Sequence, residues 1–189
     1  TGPQKTALRY TAQSSELRND MITVMRWNSP LREFMMSAGL YLARAAGEIR
    51  IISSDSHVQP ELDYHLLDHS YDLERMRAGV RMQIELGKHD AYKGILKELK
   101  DPLPPDLESD NSLNQWMLSR ASTMHHISCT ARMGTADDPM AVTNQYGQVH
   151  GFEGLRIADL SIMPDCPRAN TNSPAMMIGE RIADFIKAE

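Results

Sequence analysis

Residues 165–187 read DCPRANTNSPAMMIGERIADFIK, and the rest of the chain is best read outward from them. The second half of this stretch places Met177, Ile178, Ile182, Phe185 and Ile186 at the spacing of one buried helix face. Ser173 is a good N-cap and Pro174 a good first helical residue, so the helix is predicted to start there. The first half, up to Asn172, is loop chemistry. A helix start presents unpaired N–H groups and the positive end of the helix dipole, both of which favour negative charge.

Immediately upstream, residues 155–158 (LRIA) read as a short strand ending at Asp159, which by itself is a turn cap. Before that lies the chain's richest stretch in reactive groups, His125-His126-Ile127-Ser128-Cys129-Thr130-Ala131-Arg132-Met133-Gly134. Histidine is the side chain best placed to accept a proton near neutral pH. A base in one loop and an anion-stabilising helix start in the other suit a reaction that creates an alkoxide and a reduced, anionic cofactor. Loops that deliver into a well-capped helix are common places for sites.

The first two-thirds reads as a scaffold. Residues 6–12 and 21–27 are β-branched and aromatic runs separated by Ser14, Ser15 and Asn19, and predict strands. Residues 30–46 carry Leu31, Phe34, Met35, Ala38, Tyr41, Leu42 and Ala45 at helical spacing behind Pro30, and predict a helix ended by Gly47. Residues 48–53 (EIRIIS) alternate as a strand. Asp72 is the expected cap of a helix to Leu86 with Leu73, Met76, Val80 and Ile84 inward and Gly87 as its stop. Asp90 is the expected cap of a helix through Leu99. DPLPPD (101–106) reads as a loop. Asp110 or Asn111 should cap a helix carrying Leu113, Trp116, Met117 and Leu118.

Composition excludes several classes. The chain has 189 residues, 41% hydrophobic and 24% charged, with a net charge of −5. That suits one ordinary core, hence one domain as a prior. No basic stripe supports nucleic-acid binding, since Lys93, Lys97 and Lys100 are interrupted by Glu98 and Asp101. No apolar run reaches the roughly 18–20 residues of a membrane span. Two cysteines, Cys129 and Cys166, make no disulfide framework, which with the absence of a signal segment in TGPQKT favours a cytoplasmic setting. Residue 1 is not Met, so it need not be the start of the gene product.

Specificity comes from three linked blocks between residues 124 and 186. They are His126-Ile-Ser-Cys-Thr130-Ala-Arg132-Met133-Gly134; Val149-His-Gly151-Phe-Glu-Gly154-Leu155-Arg156-Ile157-Ala-Asp159-Leu-Ser161-Ile-Met163-Pro164; and Asn170-Thr171-Asn172-Ser-Pro174-Ala-Met-Met-Ile-Gly-Glu180. In this order they resemble the C-terminal part of the glucose–methanol–choline (GMC) oxidoreductases, whose pattern runs His-Pro-x-Gly-Thr-x-Arg-Met-Gly, Val-x-Gly-x-x-Gly-Leu-Arg-Val-x-Asp-Ala-Ser-x-Met-Pro, Asn-Thr-Asn-x-Pro-x-x-Met-Ile-x-Glu. The strand after Gly47 and the helix over 72–86 resemble the family's substrate domain more loosely. Departures are Ile127 for Pro, Cys129 for Gly and Ala131 for a frequent Cys.

The resemblance implies an α+β fold. An antiparallel or mixed sheet flanked by helices forms part of a substrate-binding domain over 1–125, and a C-terminal segment over 126–189 completes the FAD-binding domain. It implies FAD-dependent oxidation of an alcohol by hydride transfer to flavin N5, with His126 as base and Asn172 as its partner on the substrate oxygen. Asp159 and Leu160, with Asn170, Thr171, Ser173 and Pro174, are the implied FAD contacts. His125, Cys129 and Arg132 are expected to support the pair from behind, and no metal is expected. No G-x-G-x-x-G occurs in the sequence, so the Rossmann-type unit that holds the ADP half of FAD is expected outside this chain, as its partner.

Plainer readings stand beside these. His126 on composition alone is an ordinary satisfied histidine. Asn172 is helix-start chemistry, Arg132 an ion-pair residue, and the methionines core filler. His125, His126, Cys129 and His150 lack the framing of a zinc site. Cys129 and Cys166 read as free thiols. A hydroxynitrile-lyase-type flavoprotein on the same scaffold, or a non-catalytic partner-binding fragment, are the alternative functions.

Overall fold

The computed structural model describes residues 5–13, 15–28 and 30–189; Ser14 of the predicted first turn and the leading TGPQ lie outside them. The chain divides into two compact units, one formed by residues 1–47 and 64–122, the other by 48–63 and 123–189.

The first unit is built on an antiparallel meander of β1 (Lys5–Tyr10), β2 (Met21–Asn28) and β3 (Glu33–Leu40), in that order. β1 and β2 fall where their β-branched and aromatic runs predict. The helix predicted over 30–46 is not formed. Its residues pair with β2 instead, from Met21 opposite Leu40 to Asn28 opposite Glu33. The hairpin bends at Arg32, which takes φ 54°. Helical spacing in a stretch with Met35, Met36 and Ala38 was overridden by a neighbouring strand that offered a full ladder of backbone hydrogen bonds.

Helix α1 (Ser70–Gly87) lies against this sheet. Its close approach is at Gly79, where an added Cβ would stand 2.7 Å from Met21 Cε and 3.1 Å from Tyr10 Oη. Beneath it a fully buried cluster fastens the unit. The Arg75 guanidinium donates to Asp72 (2.7 Å), Asp20 (3.1 Å) and the carbonyls of Tyr41 and Leu42. Asp72 is therefore not the helix cap; His69 accepts from Tyr71 N instead, and Asp72 faces inward to accept from the amides of Arg44 and Ala45. Val80 meets Leu113 and Met117 of α2 (Asp110–Arg120), with Leu73, Met76, Ile84 and Trp116 packed around them. Ser109, one residue earlier than expected, caps α2, and Leu118 stays exposed. Across the helix pair, Arg77 and Arg81 meet Asp110, and the Arg81 hydrogen bond holds that carboxyl below the usual carboxylate range.

The helix predicted from Asp90 to Leu99 shrinks to a single 3₁₀ turn, Asp90–Tyr92. Leu99 and Ile95 are exposed, so no buried face sustains a longer helix. The proline-rich loop contains a 3₁₀ turn, Pro104–Leu107, with Asp106 accepting from Leu103 N.

The second unit joins a short hairpin, β4 (Glu48–Arg50) with β5 (Glu61–Asp63), to the C-terminal third. The predicted strand over 48–53 is thus three residues long, and Ile51 beyond it is 88% exposed. The unit's core is Ile162, Ile178 and Ile182, with Met133, Ile157, Leu160 and Phe185 around them. Ile178 and Ile182 lie on α3 (Asn172–Lys187); Met177 and Ile186, predicted inward, are exposed. The strand predicted over 155–158 is only an isolated bridge, Gln148 opposite Arg156. Among the described residues both sheets are antiparallel and there are three α-helices, an α+β architecture. Among the described residues, no helix is long and apolar enough to cross a membrane.

Candidate active site

Two loops of the second unit are held together by backbone. Asp159 caps a 3₁₀ turn, Leu160–Ile162, by accepting from Ser161 N at 2.8 Å. The segment after His126 is laddered onto that turn: Cys129 N donates to Leu160 O (3.2 Å), Ala131 N to Ser161 O (2.9 Å) and Met133 N to Ile162 O (2.8 Å). The same turn sends Ile162 into the core against α3. The start of α3 and the histidine loop are thereby placed side by side.

His126 lies between two residues of the loop that enters α3. Its Nδ1 is 2.9 Å from Thr171 Oγ1, and its Nε2 is 3.0 Å from Asn170 Nδ2. Thr171 is buried and Asn170 exposed, so one ring edge faces the interior and the other faces outward. Asn172, expected to pair with His126, is the exposed first residue of α3 and makes no hydrogen bond to the imidazole among the described residues. The side-chain amide that meets the imidazole is that of Asn170. The sequence holds Asn at both positions around Thr171 and cannot tell which of the two turns back; the position of the helix start decides it. Helix α3 begins with Thr171 as its N-cap, two residues before the predicted Ser173, so Ser173 and Pro174 fall within its first turn.

The remaining predicted residues divide between scaffold and surface. Asp159 and Leu160 shape the 3₁₀ turn, the first through its carboxylate and the second through its carbonyl. His125 is exposed, with φ 61°, and its amide donates to Thr123 Oγ1. Arg132 grips Asp138 through both carboxylate oxygens (2.9 and 2.7 Å), while its carbonyl accepts from Val142 N, so it is an ion-pair residue that shapes the following loop. His150 meets the Gly134 carbonyl at 3.1 Å and belongs to that same loop framework.

Cys129 takes φ 71°, the left-handed region that favours glycine, where the related pattern has Gly. Its thiol donates to Ser128 Oγ at 3.2 Å. Burial pushes that thiol up; neighbouring Cys166 and Asp165 push the same way against the Ser128 bond. Cys166 is not among the predicted site residues, yet its Sγ lies 3.9 Å from the His126 carbonyl and equally far from that of Pro167. Both cysteines are free. Among the described residues, no group of three His, Cys, Asp or Glu side chains could hold a metal ion. A cleft of about 400 Å³ on this unit, lined by Asn144, His150, Phe152, Glu153 and Arg156, takes in neither His126 nor Asn170.

Comparison with known proteins identifies the family. Residues 43–179 match the C-terminal part of the GMC oxidoreductase family. An oxygen-dependent choline dehydrogenase of Stenotrophomonas maltophilia is 36% identical over 157 residues, covering 82% of this chain and 27% of that protein. The chain thus spans about a quarter of the length of such relatives. A formate oxidase of Aspergillus oryzae RIB40 has a similar structure at TM-score 0.80 and 25% identity, over 95% of this chain and 33% of its own. A pyridoxine 4-oxidase of Mesorbium loti shares the fold at TM-score 0.82 and 20% identity, over 97% and 38%. With well over half its length matched, the chain belongs to the GMC oxidoreductase family, whose cofactor is FAD.

Proposed function

We propose that this chain supplies the proton-transfer site of an enzyme that oxidises an alcohol to an aldehyde or ketone with FAD. The observation that carries the reading is the His126–Asn170 contact at the mouth of α3. In this reading residues 1–125 belong to the substrate-binding domain and 126–189 complete the FAD-binding domain, whose nucleotide-binding unit lies outside this chain as its partner.

The residues present fit the flavin. Asn172 and Ser173, the first two residues of α3, are exposed, and their amides have no hydrogen-bond partner among the described residues; the first bond into the helix is Ala175 N to Thr171 O. Such a helix start suits the negative charge that a reduced flavin carries at its pyrimidine edge. When bound, FAD supplies the hydride acceptor at N5. His126 Nε2 takes the hydroxyl proton of the substrate, and the Asn170 amide steadies the same oxygen as charge develops. The Thr171 hydroxyl holds the imidazole in place. Positioned proton transfer of this kind contributes about 10²–10⁴ in rate.

The test is an absorption spectrum of the complete flavoprotein, recorded anaerobically before and after a panel of alcohols led by choline, on account of the choline dehydrogenase relatives. Bleaching of the flavin bands is expected with one of them, and His126→Ala should slow it by about 10²-fold or more while flavin stays bound. Bleaching at an undiminished rate in that variant removes His126 from the mechanism. Turnover of a cyanohydrin with no bleaching by any alcohol would point instead to a lyase on the same scaffold.

A further inference from the structure

Thr171 is an N-cap whose hydroxyl caps nothing. A threonine in this place ordinarily accepts from the amide of the second or third helical residue. Here the third residue is Pro174, which has no N–H to give, and the Thr171 hydroxyl makes no cap bond to the helix at all. It points to Nδ1 of His126 at 2.9 Å instead. Thr171 is nearly sealed, at 3% exposure, so the Nδ1 edge meets a buried hydroxyl, whereas the Nε2 edge faces the exposed Asn170.

We propose that Thr171 is the positioning residue for His126, accepting Nδ1–H so that the neutral ring carries its proton there and keeps the Nε2 lone pair for the substrate. The Asn170 contact supports the same proton inventory. An amide NH₂ facing Nε2 requires Nε2 to accept, which puts the single ring proton on Nδ1. In the reaction the substrate O–H bond breaks and an N–H bond forms at Nε2, while Nδ1–H remains donated to Thr171 throughout. Reversing the network, with Thr171 donating to Nδ1 and Nε2–H given to Asn170 Oδ1, would leave Nε2 unable to accept a proton. The proposal rests on the reading of His126 as the base and adds the group that keeps it ready.

The test uses the complete flavin-loaded protein labelled with ¹⁵N-histidine, with the His126 signal assigned by its loss in His126→Gln. The wild-type ring should show a protonated Nδ1 and an unprotonated Nε2. Thr171→Val should shift that tautomer ratio by about tenfold towards Nε2–H, the effect of one hydrogen bond. It should also lower the maximal rate of anaerobic flavin reduction by alcohol about tenfold with an unchanged KM, and Thr171→Ser should restore both. A wild-type ring protonated at Nε2, or a Val variant with unmoved tautomer and rate, overturns the proposal alone. If Thr171→Val fails to fold, the wild-type tautomer still decides it. Undiminished reduction in His126→Ala overturns it together with the reading on which it rests.

Discussion

The side-chain amide of Asn170 stands 3.0 Å from Nε2 of His126, on the exposed edge of the ring. A hydrogen-bond donor so placed meets whatever oxygen approaches that nitrogen. Removing one such donor from a developing oxyanion typically costs about 10²–10³ in rate. Asn170→Ala is therefore expected to slow anaerobic flavin reduction by about 10²-fold, and Asn172→Ala by less than tenfold. Stopped-flow measurement of the two variants side by side checks this, and the reverse order would return Asn172 to the role that the sequence pattern implies.

The two loops that meet at His126 were legible in the sequence, while the contacts between them were not. The histidine and the Asn-Thr-Asn run identify the two loops that meet. Which asparagine turns towards the imidazole depends on where α3 begins, and Ser173-Pro174 is a convincing helix start that the fold does not use. The hydroxyl of Thr171 carries no signal of its own, because a threonine before a helix already has a reason to be there. The sequence did mark Cys129 as a departure from the family's Gly; the structure shows it as a backbone position in the left-handed region.

The buried Arg75 cluster governs the stability of the first unit. Asp20 and Asp72 are both fully sealed and share this one guanidinium. Removing one partner of such a group leaves buried charge uncompensated, at about 3–5 kcal/mol. Arg75→Met should lower the unfolding free energy by that much in a denaturant titration. A variant as stable as wild type would show that this guanidinium does not fasten the unit.

That cluster also explains why the helix over 30–46 fails. Periodicity in residues 30–46 sees only the local apolar spacing. The chain direction there is set from afar, by the β2 ladder up to Met21–Leu40, by Tyr41 N donating to Asp20 O at 2.7 Å, and by Arg75 binding the Tyr41 and Leu42 carbonyls. Helix α1, whose inward face comes from its own repeat, was legible; β3, whose partner lies earlier in the chain, was not.

Burial of the Cys129 thiol disfavours its thiolate and pushes its pKa up. Alkylation follows the thiolate, so Cys129 should react with iodoacetamide along a pH curve displaced upward from that of a free cysteine. The linkage has a definite sign. The folded thiol keeps its proton where the unfolded chain has lost it, so this group's contribution to stability is full below the ordinary cysteine range and is lost as pH rises through the raised value. Site-resolved mass spectrometry of the alkylated protein measures the curve, and a midpoint at or below that of free cysteine would show that burial does not control this thiol.

Gly147 is where the loop framework meets the core of the second unit. Its φ is 72°, its amide closes a turn on the Asn144 carbonyl at 3.0 Å, and its carbonyl accepts from Ile157 N at 2.9 Å. An added Cβ would stand 2.6 Å from the Ile157 carbonyl oxygen and 2.8 Å from Ile182 Cδ1. The Ile182 methyl can swing away, but the backbone oxygen cannot without breaking the bridge between Gln148 and Arg156. Left-handed strain and the backbone clash together place Gly147→Ala at about 2–3 kcal/mol of destabilisation. Because Ile182 packs with Ile162 beneath the turn that the histidine loop is laddered onto, the variant should also loosen His126. Amide hydrogen exchange at Cys129, Ala131 and Met133 is expected to speed up along with the fall in thermal midpoint. A lower midpoint with unchanged exchange at those three amides would show that the turn at Gly147 and the histidine loop are mechanically independent.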